Sequence, residues 1–325
     1  MRKALLVLTI CLITFICNGQ TAQKVENYKI DTSIIVNIGG IKQFVNIKST
    51  NRNNPILLFL HGGPGTSLIP VADKFTDKLK DNFVVVQWDQ RQTGQTLNLN
   101  PSPEKLTAEL LQKDTYQLIQ YLLKEFNQKK LYLCSHSWGS VLGFNIADKH
   151  PELLYAYIPI SPIIDQNKSS QLTMDLLNKW AQENNNTIAI KELKSVKLPF
   201  ETEDDLFYSQ KWLFIHNGVD FAQKPEFKTN YYKWLAVWFP MWKQSVQNNL
   251  FKTLPAINCP IYFFEGNGDK QASHYIVEDY FKFLKAPQKK MFWFEKSGHT
   301  VYNSEPEKIQ QIMIENVLPE TRNNN

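Results

Sequence analysis

The sequence carries no large excess of charge of either sign: 36 Lys and Arg stand against 31 Asp and Glu in 325 residues, a formal +5. Arg2 and Lys3 belong to a leader-like start, and without them 34 basic residues exceed the 31 acidic ones by three, scattered along the chain. A basic nucleic-acid-binding face is thereby excluded. Thirteen glycines and 16 prolines are too few for a collagen-like or linker-like chain, and a content of 43% hydrophobic and 21% charged residues is too apolar for disorder. No internal repeat occurs, and no low-complexity tract beyond the polar end Asn323–Asn325. Long hydrophobic runs are lacking too: the longest, Ala4–Cys17, has about 14 apolar residues, where about 20 are needed to span a bilayer. What is plentiful is aromatic, at 13%.

Met1-Arg2-Lys3 before that apolar run, with Cys17 and Gly19 as small residues at −3 and −1 of a cleavage site, predicts a secretory signal peptide over residues 1–19. Export to a periplasmic or extracellular setting follows, with no stable membrane insertion once the leader is removed. A lipid-modified Cys17 is the alternative, but Thr14-Phe15-Ile16 lacks the small residue expected just before it. Of the four cysteines, Cys134 and Cys259 remain after leader removal. An exported protein could pair them.

Tyr28–Asn37 and Ile41–Ile47 flank Ile38-Gly39-Gly40 and read as a hairpin. Ile56–Leu60, Phe83–Gln87, Leu131–Cys134, Tyr155–Ile160, Pro260–Phe264 and Lys290–Phe294 are short apolar runs, as expected of strands covered on both faces. Helical patterns lie between them, most clearly Thr107–Phe126 with one apolar face. Strand alternating with helix predicts an α/β fold with a mostly parallel, doubly wound sheet. The rhythm stops near Ser161-Pro162 and resumes near Ile257-Asn258-Cys259-Pro260. The intervening stretch, with Trp180, Trp212, Phe214, Tyr231, Tyr232, Trp234, Trp238, Phe239 and Trp242, reads as an inserted helical cap whose aromatics form mostly its own core. The boundaries are then 1–19 leader, 20–162 first core segment, 163–250 cap and 251–325 second core segment. On this placement Cys134 ends its strand and Cys259 begins its own, too far apart for the roughly 7 Å Cα limit of a disulfide.

The strongest local pattern is Leu131 to Ser140, in which Ser135-His136-Ser137-Trp138-Gly139 sits between a strand and a helix. Small residues two before and two after a central Ser make a nucleophile elbow: the strained turn projects the hydroxyl, and bulk at those flanks would collide. A serine hydroxyl needs a base, and the base an orienting carboxylate. Asp269 follows the strand Pro260–Phe264 and His299 follows Lys290–Phe294, so both reach the carboxyl edge of the sheet, where open α/β sheets place their sites. Asp269 could instead cap the next helix, leaving Glu265 as the acid. Among competing histidines, His136 should point away from Ser137, His150 ends a helix, His216 lies in the cap and His274 is too close in sequence to Asp269. Oxyanion donors are expected from the Trp138 N–H and from the loop His61-Gly62-Gly63-Pro64-Gly65.

That loop, Trp88-Asp89-Gln90-Arg91-Gln92-Thr93-Gly94 and Ser135-His136-Ser137-Trp138-Gly139-Ser140 together resemble the prolyl iminopeptidase (proline aminopeptidase) branch of the α/β-hydrolases, with patterns of approximately HGGPGG, DQRGxGxS and GGSWGS. The likeness spans 25–162 and 251–318, and the segment between is similar only as a helical cap. It implies Ser137 as nucleophile, Asp269 and His299 as partners, Gly63 and Trp138 as oxyanion donors, and neither metal nor organic cofactor. Thr66, Gln92, Thr96 and Ser135 depart from the pattern. In the branch, cap glutamates hold the substrate amine, one in a Trp-x-x-Trp-Glu-like context; here Phe239 follows Trp238. Candidates for the substrate pocket are Trp234, Trp238 and the acids Glu201, Glu203 and Glu226, although a run such as Glu201–Asp205 is more often a solvated face.

The implied activity is that of an exported serine hydrolase forming an acyl-enzyme, an aminopeptidase on small peptides. A carboxylesterase or other small-molecule acyl hydrolase uses the same machinery, and a non-catalytic hydrolase-fold binding protein is the third reading. Epoxide hydrolase or dehalogenase chemistry would need a carboxylate where Ser137 stands.

Overall fold

Ile30–Ile38 (β1) and Ile41–Ser49 (β2) pair antiparallel across Gly39 and Gly40, whose φ angles of +55° and +79° give the two-residue turn that matches strand twist. The computed structural model describes residues 29–322. The leader of residues 1–19, with Cys11 and Cys17, and the polar end Asn323–Asn325 lie outside the described residues.

Ile56–Leu60 (β3), Val84–Asp89 (β4), Leu131–His136 (β5), Leu154–Ile160 (β6), Ile261–Gly266 (β7) and Lys289–Phe294 (β8) complete an eight-stranded sheet of order β1-β2-β4-β3-β5-β6-β7-β8. β3 to β8 run parallel, and β2 meets β4 antiparallel. Alternation divides the apolar strands between two layers. Leu58 and Leu60 pack with Leu118 and Leu122 of Ala108–Glu125 (α1) and with Leu142 of Gly139–Lys149 (α2). Leu57 and Phe59 face the other way, toward Phe75, Ile309 and Met313. Each buried leucine contributes about 1.5–3 kcal/mol, which is why continuous apolar runs choose the doubly covered sheet.

Between β6 and β7 lie the cap helices Gln166–Glu183 (α3), Thr187–Ser195 (α4), Glu203–His216 (α5) and Pro225–Ser245 (α6). Their starts are legible in side-chain chemistry, for Asp165, Asn186 and Thr202 each accept a first-turn N–H. The cap aromatics divide rather than forming one cap core. Trp212 packs with Leu177, Ala181 and Leu193 inside the cap, whereas Leu235, Trp238, Phe239 and Trp242 join the main core beside Trp138. The reason is α6, which lies on the loop after β3: the Trp234 indole donates to Pro64 O at 2.7 Å.

Cys134 and Cys259 are both buried and unpaired. They are not at the far ends of the sheet. The pairings Cys134 with Ile158 and Tyr157 with Ile261 set them about three residues, or roughly 10 Å, out of step along the strands. Their side chains also fall in opposite layers, which by itself prevents a bridge. Burial raises both thiols, Cys259 to about 12. Protein lacking residues 1–19 is therefore expected to show two thiols by Ellman titration after denaturation without reductant, and almost none while folded; a Cys134–Cys259 link in the peptide map would refute this register.

Candidate active site

The chain after β3, the end of β6 and the loop after β8 all reach the turn from β5 into α2. Ser137, at that turn, has φ +51°, a left-handed conformation that costs a non-glycine residue about 1–3 kcal/mol. Two hydrogen bonds hold it: the Ser137 N–H donates to Ile160 O at 3.0 Å, and Ser140 N–H to Ser137 O at 2.9 Å. A Cβ on Gly139 would stand 2.5 Å from Leu60 O, so glycine is required two residues after the serine. Two residues before it, Ser135 is tolerated because its hydroxyl shares a 2.7 Å hydrogen bond with Tyr157 OH on β6.

His299 Nε2 lies 2.8 Å from Ser137 Oγ, and His299 Nδ1 lies 2.8 Å from Asp269 Oδ2. The Nδ1–H donates to the carboxylate, leaving Nε2 free to accept the serine proton. Asp269 does cap the following turn, its Oδ1 accepting from Gln271 N at 2.8 Å and Ala272 N at 3.1 Å, yet it serves His299 with the other oxygen. Burial alone would raise its pKa, but the His299 ring and those two N–H donors outweigh burial and hold the carboxyl below its usual range. Glu265 does not touch His299; it is wholly buried at the end of β7.

The loop after β3 lies over the serine. A Cβ on Gly62 would meet Ser137 Cβ at 2.9 Å and come within 3.2 Å of Trp138 N, so Gly62-Gly63 approaches as only glycine can, with Gly63 at φ +110°. Trp138 N is at the N-terminus of α2, where helix N–H groups point outward. A Cβ on Gly65 would fall 2.3 Å from the Trp238 ring, so this cap residue seats on the same loop.

Two further histidines, His136 and His61, support the arrangement. His136 reaches the loop carrying the base: its Nε2–H donates to His299 O at 2.9 Å, and the two rings are 5.1 Å apart. His61 Nε2 accepts from Gln90 N at 3.2 Å, tying the glycine loop to the segment after β4. Burial depresses both, His136 to about 3 and His61 to about 4. His274 Nδ1 donates to the main-chain oxygen of Asp269 at 2.9 Å and its ring packs against Tyr275; His150 and His216 make no hydrogen bond to Ser137, His299 or Asp269.

The cap acids lie elsewhere. Asp205 closes a capping box with Thr202, Asp204 accepts the Tyr232 hydroxyl, and Glu201 and Glu203 belong to the same helix start. Glu226 is exposed in the first turn of α6. An open cleft of about 790 Å³ has His299 on its wall, with Phe214 and His216 from the cap and Gly268, Lys270 and Lys296 from the core. Glu295 is the one carboxylate on those walls, a residue that sequence reasoning missed because only the tertiary structure shows what shares a cleft.

The family description "alpha/beta hydrolase fold" matches residues 55–306, and the chain belongs to that family. A probable aminopeptidase of Bacillus subtilis (strain 168), YbaC, is 30% identical over 298 residues, which cover 83% of this chain and 91% of that protein. A proline iminopeptidase of Lactobacillus helveticus is 30% identical over 122 residues, 37% of this chain and 40% of that protein. The solved proline iminopeptidase of Mycobacterium smegmatis superposes with a TM-score of 0.64 at 17% identity, covering 90% of this chain and 100% of that one, a likeness of fold.

His61 and His136 generate a stability prediction. Both are neutral bases when folded but take up a proton near pH 6.5 when unfolded, so the unfolded state binds more protons below that pH. Folding stability is expected to fall as pH drops from about 6.5 toward about 4, and urea melts of His136→Gln should show a shallower fall than wild type.

Proposed function

We propose that this α/β-hydrolase is a serine hydrolase that works through an acyl-enzyme, with Ser137 as nucleophile, His299 as general base and acid, and Asp269 orienting the imidazole. The observation that carries the reading is the continuous hydrogen-bonded chain Ser137 Oγ to His299 to Asp269, with Ser137 projected by its left-handed backbone. In the forward step His299 Nε2 removes the Ser137 proton as Oγ attacks the carbonyl carbon, then returns it to the leaving amine or alcohol; water repeats the sequence on the ester. The negative charge that develops on the carbonyl oxygen is assigned to the N–H groups of Trp138 and Gly63. All of this is supplied by side chains and backbone.

The substrate class we favour is the small peptide with a free N-terminus. A 30%-identical relative over most of the chain is named a probable aminopeptidase, which supports this choice. An ammonium held without an acidic partner would lose several kcal/mol of solvation, and Glu295 lines the same cleft wall as His299. A carboxylesterase is the second reading, favoured by the two lysines, Lys270 and Lys296, that border the same cleft and oppose a cation. The leader over residues 1–19 points to export, so the substrates would be met outside the cytoplasm.

A fluorophosphonate probe is expected to label wild type and not Ser137→Ala, and His299→Ala should lower kcat/KM about 10³-fold or more. Undiminished turnover by Ser137→Ala would end the serine mechanism.

Substrate class is read from paired aminoacyl-arylamides, free and N-acetylated. The free form should be preferred at least about tenfold, and Glu295→Gln should erode that preference mainly through KM. Equal kcat/KM on both forms would reject the aminopeptidase and leave the esterase.

A further inference from the structure

β7 ends in a buried acid that the triad does not use. Glu265 is 0% exposed, and neither carboxyl oxygen receives a hydrogen bond from an N–H or hydroxyl donor among the described residues. It stands abreast of Trp293 on β8. On the β6 side Ser161 donates its N–H to Phe264 O, while its own buried hydroxyl is likewise unpartnered. An ionised carboxylate in such surroundings is strongly disfavoured. Burial first, then the charge of Asp269 and a side-chain hydrogen bond with it, push the Glu265 pKa well above the usual carboxylate range, which favours the protonated carboxyl.

A carboxylate can accept about four hydrogen bonds. Asp269 uses three: Gln271 N and Ala272 N on Oδ1, and His299 Nδ1 on Oδ2. One acceptor position, on Oδ2, remains. Resting on the serine-hydrolase reading, we propose that Glu265 is a positioning residue whose neutral carboxyl donates a hydrogen bond to Asp269 Oδ2 and so limits how strongly Asp269 holds a proton on His299. The donor spreads the negative charge of the oxygen that faces the imidazole. Without it, that charge acts on His299 undiluted, the imidazolium is stabilised at rest, and fewer molecules hold the neutral base. The other ionisable groups around the pair are His136, neutral beside the His299 ring, His274 against the Asp269 main chain, Tyr302 packed on His136, and Lys270, which follows Asp269 in the chain.

The test is the rate of inactivation by diisopropyl fluorophosphate from about pH 5 to about pH 9, with thermal melts alongside. Glu265→Gln keeps the volume and a donor, and its acid limb should overlay wild type. In Glu265→Leu the acid limb should move up by about half a pH unit or more, slowing inactivation about threefold on that limb. The thermal melts establish that each variant is folded, since removing one partner of a buried hydrogen bond can cost stability. Glu265→Met replaces Leu in the comparison if the latter does not fold. A Leu or Met profile that superimposes on wild type, or a Gln profile displaced as far as Leu, would overturn the assignment to Glu265 alone. A wild type that resists the reagent altogether would instead overturn the serine-hydrolase reading, and this inference with it.

Discussion

Backbone crowding at the turn from β5 into α2 is the constraint on which the rest of the site depends. Two chain segments meet there with no space for side chains: Gly139 against Leu60 O and His61 O, and Gly62 against His136 O and Ser137 Cβ. The crowding forces Ser137 into its left-handed conformation and brings the glycine loop over its hydroxyl. Ser161, one strand further, is also left-handed at φ +46°, and the residue before it receives the Ser137 N–H. Strain of this kind persists only where its surroundings over-determine it, and here the parallel ladder on both sides of β5 does so.

A second buried polar system has a different task. Arg91, fully buried, pairs with buried Asp114 of α1 and reaches Gly39 O in the hairpin turn and Glu104. Asp114 also accepts from Gln43 Nε2 at 2.8 Å, and Gln43 accepts the Trp88 indole at 2.8 Å. This network fastens the β1–β2 hairpin to α1 and to the loop after β4. It explains the Asp-Gln-Arg segment as architecture: a buried ion pair gives little net stability but strongly penalises any arrangement that breaks it. The departures in that segment fit the same frame. Gln92 takes φ +55°, and its side chain accepts Ser102 N at 2.7 Å. Thr96 keeps the hydroxyl role, donating to Asp89 O and accepting Phe44 N.

The cap and the core meet through aromatic side chains and a few polar tips. Trp234 and Trp238 rest on the glycine loop, and the Trp138 indole donates to Ser245 on α6 at 2.8 Å. The residue that follows Ser137 thus ties the elbow to the last cap helix, and the geometry of the site and the placement of the cap are coupled through one side chain.

Much of this was legible in the chain itself, because the signals were local. Short apolar runs bounded by turn residues marked β3 to β8, the parallel strands of the sheet, and a glycine turn marked the β1–β2 hairpin. Glycine at 39, 40, 62 and 139 marked places where backbone must turn left-handed or approach closely. The order serine, acid, histidine followed from which strand ends reach one edge. The failures were all of one physical kind. Asp114 and Glu265 sit in apolar patterns or at a strand end, and nothing local says that one pairs with an arginine and the other faces a second carboxyl group. The run Glu201–Asp205 offered candidate acids, although such a run is more often a solvated face, and it forms a helix start, because capping is local but a cleft is not. His136 was expected to turn away, yet the loop after β8 folds back to meet it. Periodicity and turn chemistry are properties of neighbours in sequence, so the sequence alone determined the fold class and which strand ends carry Ser137, Asp269 and His299; burial, pairing and cleft membership depend on segments that only folding brings together, and only the tertiary structure decided them.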